Sequence, residues 1–267
     1  MDYLGRSGVK EMWKAAEQSA VLVGDTVVSL RDPVAIATDG LAAQRRADLY
    51  AHDQLSKKLA LAYPGVPIVS EEDSSHSEQR HSEYWLIDPI DGTGSWAGGF
   101  PGYVTQAAFI REGVVEFGVI HAPALKRTWV AVRGVGAFLN GEKLPIRESA
   151  RSPLVVVDNY PEPRDDCLEL INWLGNASYK ESGSLGLKAV MVASGDADVF
   201  VKSVVVRDWD LAPAMAVCAE TGAVLTRVNG SDFSLSGSLE KIDGVVVAAD
   251  EYLARRVAEW LVSRKRM

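Results

Sequence analysis

The sequence predicts a layered α/β protein: an N-terminal half built on an antiparallel sheet, packed on a smaller α/β C-terminal half. Three observations carry this. Residues 8–23 and 47–62 space their apolar side chains as helices do, through Met12, Trp13, Ala16, Ala20 and Val23 in the first and Leu49, Leu55, Leu59 and Ala62 in the second. From residue 84, apolar runs at 84–87, 103–110, 114–121 and 127–132 are separated by turn residues such as Glu112-Gly113 and Pro123-Ala124, the pattern of a meander. From residue 151, short strands at 154–157, 197–201, 223–225 and 244–248 alternate with helical stretches near 166–174, 185–194, 211–221 and 250–264.

Taken in order, the second helix ends before Tyr63-Pro64-Gly65 and places Asp48 in its first turn, where a carboxylate is favoured. Thr38-Asp39-Gly40 reads as a turn ahead of it. Pro67-Ile68-Val69 reads as a strand leading into Glu71-Glu72, and the polar stretch 73–83 as a mobile loop. Residues 134–143 read as a hairpin turning at Asn140-Gly141. The change of style near 150 divides the chain into halves 1–150 and 151–267, with a site expected between them.

Composition narrows the function. The chain has 267 residues and a net charge of −8, from 28 basic against 36 acidic side chains, so long nucleic acid is not an expected partner. No run approaches the ~18 apolar residues that would cross a bilayer, and no secretory leader is visible. Cys167 and Cys218 are too few for a disulfide scaffold, which points to a reducing, cytoplasmic setting. His52, His76, His81 and His121 show no zinc-ligand spacing. Trp13, Trp85, Trp173 and Trp260 are expected in the core, with Trp96 and Trp209 beside the site.

The decisive segment is Asp88-Pro89-Ile90-Asp91-Gly92-Thr93, directly after the apolar run Tyr84-Trp85-Leu86-Ile87. Two carboxylates at a strand end offer oxygen ligands to a hard divalent cation, and Gly92 lets the backbone approach a ligand. Glu71-Glu72 and Asp208-Trp209-Asp210 are placed to join them. Several carboxylates can share a site only if cations offset their repulsion. Only one of Glu71 and Glu72 is expected to face that site, and its spacing selects Glu71. Asp39 competes with Asp48, which is preferred because its helix runs straight to Glu71. Asp208 is expected to be solvent-facing or a cap.

These motifs resemble the inositol monophosphatase family. The resemblance covers Asp88–Thr93 with Ser95-Trp96 and Gly99-Phe100-Pro101, then Gly183-Ser184, Ala193-Ser194-Gly195-Asp196, Trp209-Asp210-Leu211-Ala212 and Glu220-Thr221-Gly222-Ala223, in the family's order over residues 48–225. It implies an αβαβα sandwich and a phosphomonoesterase using two to three Mg²⁺ ions, or Mn²⁺. Glu71, Asp88, the Ile90 carbonyl, Asp91 and Asp210 would bind metal. Glu71 and Thr93 would activate water, and Asp48 would hydrogen-bond Thr93. Asp91, Gly92, Thr93, Gly183, Ser184, Lys202 and Ser203 would meet the substrate, a small phosphorylated metabolite, in a likewise implied homodimer. Ser203 stands where inositol-selective members place a glutamate, and Leu185 replaces a smaller residue, so the polyol end of the pocket departs from the family pattern. Alternatives within the family are a 3′(2′),5′-bisphosphate nucleotidase, with Lys202 and Arg207 as candidate anion ligands, and a histidinol phosphatase. A non-catalytic metal-binding regulator is the alternative outside enzymes, and Thr93 argues against it.

Overall fold

The computed structural model describes residues 7–73, 80–147 and 149–264, so the centre of the expected mobile loop lies outside the described residues. The chain opens with helices α1 (Ser7–Leu30) and α2 (Pro33–Ala62). Helix α2 starts earlier than its apolar spacing suggests, because Asp32 caps Val34 N and Ala35 N and Pro33 brings a preset φ to the first turn. At Asp39 (φ −152°, ψ 85°) the helix breaks and restarts, with the Asp39 carboxylate accepting Ala42 N at 3.0 Å. The expected turn is therefore a kink within one long element.

A seven-stranded sheet follows in sequence order: β1 (Ile68–Ser70), β2 (Glu83–Asp91), β3 (Val104–Arg111), β4 (Val114–Ala122), β5 (Arg127–Val132), β6 (Gly136–Leu139) and β7 (Glu142–Lys143). Only β1 and β2 run parallel. The short helix α3 (Thr93–Gly98) sits between β2 and β3. A second sheet holds β8 (Leu154–Asp158), β9 (Ala177–Glu181) and β10 (Val199–Lys202), with β12 (Val224–Thr226) and β14 (Val245–Ala248), in the order β12-β14-β10-β8-β9. Strands β11 (Val206–Arg207) and β13 (Glu240–Lys241) pair separately. The remaining helices are α4 (Asp165–Leu174), α5 (Leu185–Ala193), α6 (Asp208–Thr221) and α7 (Glu251–Arg264).

Strand alternation decides how these layers stack. On β2, Trp85 and Ile87 turn towards α1 and α2, where they meet Trp13, Leu55, Phe109 and Phe117. Tyr84 and Leu86 turn the other way, onto α5 and α6 through Leu187, Val190 and Leu211. Those two helices also cover Phe200, Val245 and Val247 of the second sheet, whose outer face packs on α4 and α7 through Leu170, Leu253 and Val257. The result is an α–β–α–β–α sandwich. Its first interface depends on Trp85, fully buried among rings, and truncation to alanine there would cost about 3–5 kcal/mol.

Two expectations need correction. Trp173 is 37% exposed and stacks on Trp260 at 5.3 Å, on the outer side of α4 and α7, because its half of the helix faces solvent. Strand β9 has no counterpart among the expected strands: Ala-Ser-Tyr-Lys-Glu is polar and alternating, as suits a half-exposed edge strand.

Candidate metal and phosphate site

The acidic corner forms where β2 ends. Pro89 brings no N–H to the ladder, and the β2–β3 register shifts between Asp88 and Asp91. Residues three apart would otherwise point to opposite faces. The bulge turns both carboxylates towards α5 and α6, while Asp88 Oδ1 accepts Ile90 N at 3.1 Å. Gly92 then takes a left-handed conformation (φ 91°), with a missing Cβ that would meet Gly102 O at 2.9 Å, so the chain can turn sharply into α3. Arg31 donates to the Trp96 and Ala97 carbonyls and holds the far end of α3 against α1. Trp96 Nε1 donates to Val27 O, placing that ring below the site rather than in it.

Two other elements close on this turn. The N-terminus of α5, capped by Ser184 Oγ on Leu187 N, donates Gly186 N (2.9 Å) and Leu185 N (3.3 Å) to Asp91. Ser184 N also bonds Gly102 O at 2.6 Å, so the Gly183-Ser184 loop lies directly on the β2–β3 connection. From the opposite side, Asp210 enters in the first turn of α6, its Oδ2 accepting Arg207 N at 2.7 Å. Glu71 follows β1, with its N–H on Ile87 O. Three segments thus bring carboxylates to one corner, and Asp48 on α2 faces Glu71 and Glu72 behind it.

The electrostatics of the corner are those of crowded anions. Burial, then Glu71, Asp91 and Asp210, raises the Asp88 carboxyl well above its usual range. Asp210 is raised by burial and then by Asp91. Glu71 is raised to about 7, by burial and then by Asp91 and Glu72. Asp48 also rises to about 7, by burial and then by Glu72 and Glu71. Asp91 is raised by burial, against the N–H groups and hydroxyl of α5. Among the described residues, none of Glu71, Asp88, Asp91 and Asp210 is in an ion pair with a basic side chain. No three of the corner's acids already surround one point as a finished ion cage, and Glu71 and Asp88 instead share a hydrogen bond. The mutual repulsion is the more informative observation, since carboxylates turn readily about their side-chain torsions and their backbone positions do not.

Other residues fall where expectation and structure part. Thr93 Oγ1 donates to the Ile90 carbonyl at 3.2 Å rather than to Asp48, whose Oδ1 is buried without a partner. Glu72 sits beside His52 and Arg45, with Ser70 Oγ bonding both His52 Nδ1 (2.8 Å) and Glu72 N (3.3 Å). Asp39 is only a helix cap. Asp208 is fully buried, not solvent-facing, and is paired with Arg80 and Lys241. Arg207 pairs with Glu240 at 3.1 Å. Ser203 Oγ is buried without a partner.

Sequence reasoning missed a cation and an amide. Lys188 on α5 is fully buried, bonded to Asn159 Oδ1 and Gly183 O, and lies over the Phe200 ring at 4.9 Å. Burial lowers its ammonium to about 8 against the pull of Asp91 and Asp158, and Lys202 opposes it. Its signal was one lysine inside the apolar run Leu-Gly-Leu-Lys-Ala-Val-Met-Val-Ala. Gln106 on β3, fully buried beside Asp91, had a similar signal as a lone amide in an apolar strand.

The layered fold and the acidic corner at the end of its first sheet together define a class, the α/β phosphatases. The chain belongs to the inositol monophosphatase family, whose profile matches residues 9–265, and members of that family are phosphatases acting on phosphomonoesters. It is 30% identical over 187 residues to fructose-1,6-bisphosphatase/inositol-1-monophosphatase of Thermotoga maritima, covering 69% of this chain and 71% of that one. It is 29% identical over 191 residues to the 3′(2′),5′-bisphosphate nucleotidase CysQ of Aggregatibacter actinomycetemcomitans, covering 68% and 71%. Inositol monophosphatase II of Staphylococcus aureus shares the fold at a TM-score of 0.77 with 19% identity, over 92% of this chain and 93% of that one.

Proposed function

We propose that this phosphatase is a Mg²⁺-dependent phosphomonoesterase acting on a small phosphorylated polyol, sugar or amino alcohol. The observation that carries the reading is the convergence of Glu71, Asp88, Asp91 and Asp210 on one corner, the three aspartates buried, with no basic side chain among the described residues in an ion pair with any of the four. Its donors are all oxygen, a set that suits Mg²⁺ or Mn²⁺ and not zinc. Glu71, Asp88, the Ile90 carbonyl, Asp91 and Asp210 would hold two to three such ions.

Bound divalent cations supply charge neutralisation at the phosphate and Lewis acidity towards water. Glu71 would take the proton of the attacking water, and Thr93 Oγ1 would orient it. Gly92 and Thr93, at the start of α3, would offer backbone N–H groups to the ester. Gly183, Ser184, Lys202 and Ser203 would line the alcohol side, with Asp48 steadying the acidic corner from behind.

A second reading, a 3′(2′),5′-bisphosphate nucleotidase, is favoured by one observation. Lys202 closes β10, and the buried Lys188 of α5 interacts electrostatically with both Lys202 and Asp91, so this side of the corner carries positive charge, which suits a substrate with a second anionic group. Phosphate release from inositol monophosphates, histidinol phosphate and adenosine 3′,5′-bisphosphate, with and without Mg²⁺, separates the readings. Orders-of-magnitude preference for one class is expected, and no Mg²⁺-stimulated release from any ester would overturn the enzyme reading. The division into halves at 150 and a cytoplasmic homodimer belong to the same proposal. Two buried free cysteines support a reducing setting, and no helix among the described residues is long and apolar enough to cross a membrane.

A further inference from the structure

Gln106 lies on β3 directly across from Asp88 and is fully buried. Its Nε2 faces three acceptors: Asp91 Oδ2 at 3.3 Å, the Trp209 carbonyl at 3.1 Å and the Asp210 carbonyl at 3.3 Å. One amide group therefore touches both sides of the acidic corner, the bulge that carries Asp91 and the helical turn that carries Asp210. That turn is unusual. Pro213 stands four residues after Trp209 inside α6, so it brings no N–H to the Trp209 carbonyl, and its ring crowds the same oxygen. Gln106 donates where the helix cannot.

The surroundings are cut to this arrangement. A Cβ at Gly186 would come within 2.2 Å of Gln106 Oε1, so the amide fits only because the first turn of α5 carries glycine there. A Cβ at Gly118 would meet the Pro213 carbonyl at 2.4 Å, so α6 lies tight against β4 at the proline. Asp91 and Asp210 repel each other, and the strut between them must resist that force.

We propose that Gln106 is a positioning residue for the metal site: its carboxamide replaces the helical donor missing at Pro213 and fixes the Asp91 and Asp210 carboxylates at a separation that divalent ions can bridge. This rests on the metal-dependent phosphatase reading. It predicts an effect on ion affinity greater than that on the chemical step, because the amide touches ligands and never the reacting ester.

The test uses Gln106→Met, which keeps volume and removes both donors. Mn²⁺ binding to the metal-free protein is read by electron paramagnetic resonance of the free ion, beside the Mg²⁺ concentration for half-maximal phosphate release. Both are expected to weaken about 10-fold or more, as for other lost supports of metal ligands, with kcat at saturating Mg²⁺ within about threefold of wild type. Adding Pro213→Ala to Gln106→Met restores a backbone donor and is expected to recover part of the affinity, a non-additive result that general loosening of the core would not give. Should Gln106→Met not fold, Gln106→Asn keeps a buried amide one methylene short of its acceptors and is expected to show intermediate weakening. Wild-type Mn²⁺ affinity in a folded Gln106→Met or in Gln106→Asn would overturn the role of Gln106 alone. A wild-type protein that binds no Mn²⁺ would overturn the metal-dependent reading, and the strut with it.

Discussion

Buried carboxylates occur in contrasting settings among the described residues, and two groups of them are treated in opposite ways. Asp198, at the start of β10, is fully buried and surrounded by donors: Arg147 Nη2 at 2.7 Å, Arg151 Nε at 2.8 Å and Val155 N at 2.8 Å. Asp208, at the start of α6, is likewise enclosed by Arg80 and Lys241. Two residues on, Asp210 faces Asp88, Asp91 and Glu71 with no such pairing among the described residues. Where a carboxylate serves the fold, the chain supplies arginine or lysine. Where it supplies none, the compensating charge must come from protons or from bound cations. A buried acid is thus informative by its partners more than by its burial.

The largest expected effect separates the two settings by mutation. Asp198→Asn leaves Arg147 and Arg151 without their counter-charge and is expected to cost about 3–5 kcal/mol of stability, the range for one broken partner of a buried pair. Asp210→Asn removes repulsion instead. It is expected to leave the melting temperature of the metal-free protein unchanged or higher while lowering phosphate release about a thousandfold, as loss of a central electrostatic group does. Thermal melts in chelator and a phosphate-release assay check both, and a strongly destabilised Asp210→Asn would break the distinction.

A smaller effect sharpens it. Mg²⁺ at 100 times its dissociation constant is expected to stabilise the wild-type protein by about 2.7 kcal/mol through mass action. The shift should vanish in Asp91→Asn and persist in a variant of the half-buried ion pair between Arg227 and Asp243. Calorimetric melts across a Mg²⁺ series measure it. Equal shifts in Asp91→Asn and wild type would place the ions elsewhere.

The comparison also marks what could be read from the sequence. The segment 88–93 was legible because six adjacent residues hold two carboxylates, a glycine and a hydroxyl directly after an apolar run, whereas which way β2 faces was not, since Tyr84-Trp85-Leu86-Ile87 is apolar on both faces. The hairpin at Asn140-Gly141 was legible for the same local reason, with both residues at positive φ. Asp208 was misread because its partners, Arg80 and Lys241, lie 128 and 33 positions away, and only the fold brings them together. Lys188 and Gln106 were single polar residues in apolar runs, and periodicity treats such residues as noise. The kink at Asp39 was half legible: the turn residues were visible, but the continuation of the helix across them depended on the Asp32 cap.

The smallest expected effect is the dependence of stability on pH. Asp48 and Glu71 are both raised to about 7 in the folded protein, against about 4 for ordinary carboxyls in an unfolded chain. Between those values the folded state binds more protons than the unfolded state, so stability must fall as pH rises. The contribution is complete below about pH 4 and is lost as pH passes through about 7. Metal-free wild type should therefore lose stability relative to Asp48→Asn between pH 5 and 8, the opposite of the slope that a salt-bridged carboxylate gives. Saturating Mg²⁺ should flatten the difference, since bound cations favour the ionised forms that proton release creates. Denaturation midpoints of the two proteins, taken in chelator and then in Mg²⁺ across that range, decide it. Parallel curves in chelator would mean that the Asp48 side of the corner carries no anionic strain, and the contrast with Asp198 would then rest on Asp88, Asp91 and Asp210 alone.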